Sequence, residues 1–150
     1  MRRIAVIGVG NILMGDEGVG VRAVEELGRL KLPEGVQLID AGTAIHSLMG
    51  RLSEFDKLVI IDAVKGGRPP GTIYRLALDE IESDPSRILS LHDLGVLETL
   101  RIERLIGDVP EEVVIVGIEP ERVEPSLELS PVLRERLPEL IRAVLEELEA

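Results

Sequence analysis

Apolar and polar positions along the chain change period repeatedly, and each change marks a new element. "RRIAVIG" is an apolar, β-branched run stopped by a glycine and predicts strand one. From about Asp16 to Leu30, apolar residues at 19, 21, 24, 27 and 30 follow three-to-four spacing and predict helix one. "KLPEG" breaks it, and "VQLIDAG" predicts strand two. "IHSLMGRL" predicts a short helix. "KLVIIDAV" is an unbroken apolar run, as expected of a strand covered on both faces of a parallel sheet.

"KGGRPPG" reads as a loop, and "GTIYRLAL" alternates like a strand at the sheet edge. No clear period emerges between Asp79 and Leu91. "HDLGVLETLRIERLIG" predicts a helix with His92 or Asp93 at its N-terminal boundary. "EEVVIVGIEP" predicts another buried strand, and "ERVEPSLELSP" a long loop. The last helix, "SPVLRERLPELIRAVLEELE", has Ser130 as N-cap and Pro131 at its first position. Pro138 is expected to end a turn of it or kink it. Strands alternating with helices in this order predict a three-layer α/β domain over residues 1–150: a twisted, mostly parallel sheet flanked by helices on both faces.

Composition narrows the chemistry. The 150 residues are 45% apolar, enough for a real core, and no apolar run is long enough to span a membrane. The apolar run after "MRR" stops at Gly8, so no signal peptide is expected and the location expected is the cytoplasm. No cysteine is present, which excludes disulfides, thiolate ligands and a thiol nucleophile. A net charge of −11 argues against a nucleic-acid partner. With Phe55 and Tyr74 as the only aromatic residues, no base- or sugar-stacking surface is expected. No long exposed edge or apolar helix face stands out as an interface, and a monomer is the default.

In a parallel α/β sheet, sites form outside the C-terminal ends of the strands. Asp16 and Glu17 follow strand one, Asp40 ends strand two, Asp62 ends strand three, Glu119 follows the later strand, and His92 opens a helix near the same rim. Crowded carboxylates repel one another unless a cation intervenes. Two carboxylates and an imidazole on three segments, Glu17, Asp62 and His92, best fit a metal site with open positions. Each residue also has a structural reading. Asp16 is expected as an N-cap or first-turn acid, and Glu17 can serve the helix dipole. Asp40 can close an Asx-type turn on the following "GT". His92 can be a helix cap, and His46 is expected in a structural or solvent-facing role. Asp62 is the hardest to dismiss, because a carboxylate closing a buried strand needs partners.

The turn "GVGNILMGDEGVGV" is glycine-rich but is not a phosphate cradle. Its third dinucleotide-binding position is Leu13, no P-loop lysine is present, and Asp16 and Glu17 would oppose a pyrophosphate. A nucleotide-binding module is therefore the weaker reading, and a site for a cation or electropositive group is expected.

The same stretch resembles the opening motif of the hydrogenase maturation endopeptidases. The likeness continues through "DAGT", "LVIIDAV", "SLHDLG" and "VGIEPERVEPSLELSP", in order along nearly the whole chain. It implies a protease that removes the C-terminal extension of a nickel–iron hydrogenase large-subunit precursor after nickel insertion. It implies nickel supplied by the precursor rather than held as a resident cofactor. It also implies that Glu17, Asp62 and His92 contact that metal, and that Asp40 acts as general base or orients the scissile strand. The chemistry is then aspartyl-type or metal-assisted. A non-catalytic nickel-binding checkpoint for hydrogenase assembly would use the same three ligands, and only product formation separates the two.

Overall fold

The computed structural model describes residues 2–48, 50–83, 90–91 and 94–149. Strands β1 (Ile4–Val9), β2 (Val36–Gly42), β3 (Lys57–Lys65), β4 (Ile73–Ala77) and β6 (Glu112–Ile118) form one sheet in the order β2-β1-β3-β6-β4. All neighbours are parallel except β4, which runs antiparallel to β6 at the edge. The short β5 (Ser90–Leu91) adds antiparallel to the end of β3. The helices are α1 (Val19–Leu27), α2 (Leu78–Ser83), α3 (Leu94–Leu105) and α4 (Pro131–Glu149). No described helix is long and apolar enough to cross a membrane.

Strand alternation divides the core in two. Ala5, Ile7 and Val9 of β1 and Leu58, Ile60 and Val64 of β3 pack with Leu100 of α3 and with residues around two 3-10 turns, Ile45–Leu48 and Leu52–Glu54. Ile4 and Val6, with Val59, Ile61 and Ala63, face Val24 and Leu27 of α1 and Leu133, Leu140 and Val144 of α4 on the other side. Every residue of β3 but Lys65 is buried, as its unbroken apolar run requires of a central strand covered twice. The predicted three layers are therefore present.

Local outcomes differ from expectation at three places. The stretch "IHSLMGRL" opens with the 3-10 turn Ile45–Leu48 rather than forming one helix, and the second 3-10 turn starts only at its last residue, Leu52. Helix one begins later than its apolar period suggests, because a 3-10 turn over Gly15–Gly18 precedes Val19. Pro138 lies inside α4, which continues to Glu149. Pro138 and Arg134 are both exposed, so the Arg134 carbonyl that loses its intrahelical donor can turn to water. The start of α4 is as predicted: the Ser130 hydroxyl accepts the Leu133 N–H at 3.4 Å. At the opposite end of the sheet, Lys57 is buried at the start of β3. Its Nζ donates to Glu147 O at 2.7 Å and Oε1 at 3.1 Å, fastening the last turn of α4.

Candidate active site

The glycine-rich turn folds the chain back over the C-terminal ends of β1 and β3. Gly10 has φ +133°, its N–H donates to Gly42 O at 2.9 Å, and a Cβ there would lie 1.7 Å from Glu17 O. Gly20, in the first turn of α1, sits so close to the sheet that a Cβ would fall 2.2 Å from Ile61 O. These glycines are consumed by packing of the chain on itself, which leaves no cradle for a pyrophosphate. Asn11 shapes the tip, accepting the Leu13 N–H on Oδ1 at 2.9 Å.

The turn carries its two acids in different directions. Asp16 is fully buried and accepts four hydrogen bonds, from the backbone N–H groups of Glu121, Arg122 and Ser130 and from the Ser130 hydroxyl, at 2.7–2.9 Å. It lies in the first turn, as expected, but caps nothing there; it anchors the loop before α4. Glu17 is half-buried in the same 3-10 turn, which packs against β3.

Asp62 is within β3 rather than at its end, paired with Gly117 of β6 and only 1% exposed. This corrects the expectation of a rim position: the strand runs on to Lys65 because β5 pairs with that extension. Its Oδ1 accepts the Ala63 N–H at 2.8 Å. Alternation places Asp62 on the face of Leu58, Ile60 and Val64, toward α3.

Asp40 is exposed within β2, two residues before its end at Gly42 rather than closing it, in register with Gly8 and, across it, Ile61. Its side chain lies on the opposite face from Asp62, toward α1. There it lines an open cleft of about 360 Å³ with Asn11, Ile12, Leu13, Val21 and Thr43. A bulge follows it, because Val9 pairs with Gly42 and Ala41 is passed over. The predicted Asx turn is not formed. Among the described residues the Asp40 carboxylate accepts no hydrogen bond, and the turn is closed by Ala44 N–H to Ala41 O at 2.8 Å.

His92 lies outside the described residues. Among the described residues, no three His, Asp or Glu side chains are grouped closely enough to hold a metal ion. Two of the three expected ligands, Glu17 and Asp62, are on segments that pack together. Both offer hard oxygen donors suited to a divalent cation. His46 is exposed on its 3-10 turn, in accord with a solvent-facing role.

Glu119, which the strand-end rule gathers with the others, is a structural anchor. Its Oε1 accepts the N–H groups of Gly66 and Arg68 at 2.9 and 3.3 Å and the Tyr74 hydroxyl at 2.6 Å. Burial, then this hydrogen bond, push the Tyr74 phenol up to about 12. Glu119 thereby fixes the loop that leaves β3 beside the candidate site.

The model of the hydrogenase maturation protease family matches residues 21–147. The chain belongs to that family. It is 38% identical to the Hydrogenase 2 maturation protease of Escherichia coli over 145 residues, covering 95% of this chain and 88% of that protein. It is 39% identical to the hydrogenase expression/formation protein HupD of Thiocapsa roseopersicina, of which it spans 66%. The fold superposes on the hydrogenase maturating endopeptidase HybD of E. coli with a TM-score of 0.87 at 37% identity, covering 98% of this chain and 92% of that one. A hydrogenase 2 maturation peptidase from a Thaumarchaeota archaeon gives a TM-score of 0.77 at 36% identity, with 99% of each chain covered. For a hydrogenase maturation protease, the anchoring roles that sequence reasoning missed are those of Asp16 and Glu119. Their partners lie as far as 114 and 53 residues away, beyond any local signal.

Proposed function

We propose that this protein is an endopeptidase that removes the C-terminal extension of a nickel–iron hydrogenase large-subunit precursor once nickel has been inserted. The similarity to the E. coli Hydrogenase 2 maturation protease over 95% of the chain carries the reading. The carboxylates along the C-terminal edge of the sheet give it a chemistry. Nickel belongs to the substrate: it arrives in the precursor and marks it as ready. Glu17 and Asp62, with His92, would contact it through two oxygens and one imidazole nitrogen. A metal so held polarises a nearby carbonyl or acidifies a water. Asp40, exposed at the cleft and not engaged in its own turn, would take the proton from the attacking water as general base. The reading takes the protein as a cytoplasmic monomer acting on a protein partner, and the net charge of −11 disfavours nucleic acid as that partner.

The test is mass spectrometry of the cognate precursor, with and without inserted nickel, after incubation with this protein. Loss of a C-terminal peptide from the nickel-loaded form alone supports the reaction and its trigger. Loss from both forms removes nickel from the recognition step. Loss from neither, with nickel-dependent co-purification of the two proteins, makes this chain a non-catalytic checkpoint.

A further inference from the structure

The two outer edges of the sheet are finished differently. On β4, the Ala77 N–H is turned outward and accepted by Glu80 Oε1 at 3.3 Å, while Arg75 is held by Glu146 and Glu147 of α4. Charged side chains and satisfied outward groups keep an edge from pairing with another chain. The outer edge of β2 is less protected, with Asp40 as its only charged residue. The Gly35 carbonyl accepts the Ile4 N–H at 3.0 Å, which sets the odd-numbered positions of β2 toward β1. Ahead of the bulge, alternation then turns the main-chain groups of Val36, Leu38 and Asp40 outward. The Val36 N–H is taken by Pro33 O at 3.4 Å. Among the described residues no strand pairs with this edge. The run "VQLIDAG" contains no Lys, Arg or Pro and no charge before Asp40.

The side chains of Leu38 and Asp40 lie on the α1 face, where the cleft beyond them is walled by Ile12, Leu13 and Val21. Ile12 and Leu13 are 36% and 59% exposed, an apolar lip beside the strand end. A peptide strand laid along β2 would carry every second side chain over that lip and its main chain past the Asp40 carboxylate. Two copies of this chain, each of net charge −11, are poor partners for the same edge.

We propose that the outer edge of β2 is the docking strand for the substrate. The C-terminal segment of the hydrogenase precursor pairs in extended form with the main chain of Leu38 and Asp40, and its alternate side chains rest on Ile12, Leu13 and Val21. Main-chain pairing supplies a grip independent of sequence, and the apolar lip selects among side chains. The inference rests on the peptidase reading and adds to it where the tail lies.

Residue-resolved amide exchange on the wild-type protein tests it. In the free protein, the Leu38 and Asp40 amides should exchange fast and those of Ile39 and Ala41 slowly. A synthetic peptide of the precursor's C-terminal segment, or the nickel-loaded precursor itself, should slow Leu38 and Asp40 by about tenfold or more and leave Ile39 unchanged. Cleavage of the precursor with no change at these amides overturns the docking strand and leaves the peptidase reading intact. Protection without cleavage supports the docking strand and overturns the peptidase reading. Slow exchange at Leu38 in the free protein, or protection that follows protein concentration alone, also overturns the proposal. Leu38→Pro removes one outward N–H and should raise KM for the precursor roughly tenfold with kcat little changed.

Discussion

Asp16 and Ser130 are joined twice: the Ser130 N–H donates to Asp16 Oδ1 at 2.7 Å and its hydroxyl to Oδ2 at 2.9 Å. The pair locks the glycine-rich turn to the start of α4 and closes the loop between them over the C-terminal edge of the sheet. Removing the carboxylate strands several buried donors at once. Asp16→Ala is therefore expected to lower stability by roughly 2–4 kcal/mol, read from urea unfolding. Cleavage lost with stability retained would place Asp16 in the chemistry instead.

The other three carboxylates should behave differently. Asp40 is exposed, so Asp40→Asn should leave stability within about 0.5 kcal/mol of wild type while abolishing precursor cleavage. Glu17→Gln and Asp62→Asn keep shape and remove charge, and they should abolish cleavage with the fold intact. Thermal unfolding beside a cleavage assay separates the two classes. Full cleavage by the Glu17 variant would take that residue out of the ligand set.

Much of this arrangement is legible in the chain, for physical reasons. The period of apolar residues is a property of each segment alone, so β1, β2, β3, β6, α3 and α4 appear in the sequence nearly where the structure has them. The rule that sites form at strand ends then nominates Glu17, Asp40 and Asp62 as candidates without distances. It cannot tell which carboxylates are spoken for. Asp16 and Glu119 look the same as Asp40 in sequence, yet distant backbone N–H groups satisfy the first two and none satisfies the third among the described residues. The depth of Asp62 is also hidden, because β5 extends β3 past it through a pairing no local pattern announces.

A second buried pair makes stability depend on pH. The Asp108 carboxylate accepts the N–H groups of Leu52 and Ser53 at 3.2 and 3.1 Å, and Glu103 Oε2 accepts the Gly50 N–H at 3.2 Å, tying α3 to the 3-10 turns. Burial works against the Asp108 charge, but hydrogen bonds from Glu103, Ser53 and Leu52 outweigh it and hold the group at about 2. Its stabilisation is present above the unfolded value of 3.8 and is lost as pH falls toward 2. Glu103 is raised above 4.5, by its hydrogen bond to Asp108 and by burial. Its contribution is present below 4.5 and is lost as pH rises through the raised value. Glu103→Gln keeps a donor toward Asp108 and cannot ionise. It should match wild type near pH ~4 and be the more stable of the two at pH ~8, measured by unfolding at both. A variant less stable at the higher pH would show that the charged pair is tolerated.

Tyr74 offers a direct optical check on the loop that leaves β3. It is the only tyrosine, and the chain has no tryptophan, so tyrosinate absorbance reports this residue alone. The phenol is raised from 10.0 to about 12, by burial first and then by its hydrogen bond to Glu119. The stability this adds is present below pH 10 and is lost as pH rises through about 12. The native protein should therefore show no tyrosinate near its ordinary titration range, and unfolding there should release it. Glu119→Gln removes the neighbouring charge and should move the native titration back toward 10. The same change weakens the acceptor for Gly66 and Arg68 and should cost about 1–2 kcal/mol. Because the loop adjoins the strand that bears Asp62, cleavage should weaken without being abolished. A native titration unmoved by Glu119→Gln would mean that burial alone sets the phenol, and that Glu119 holds the loop only through its backbone contacts.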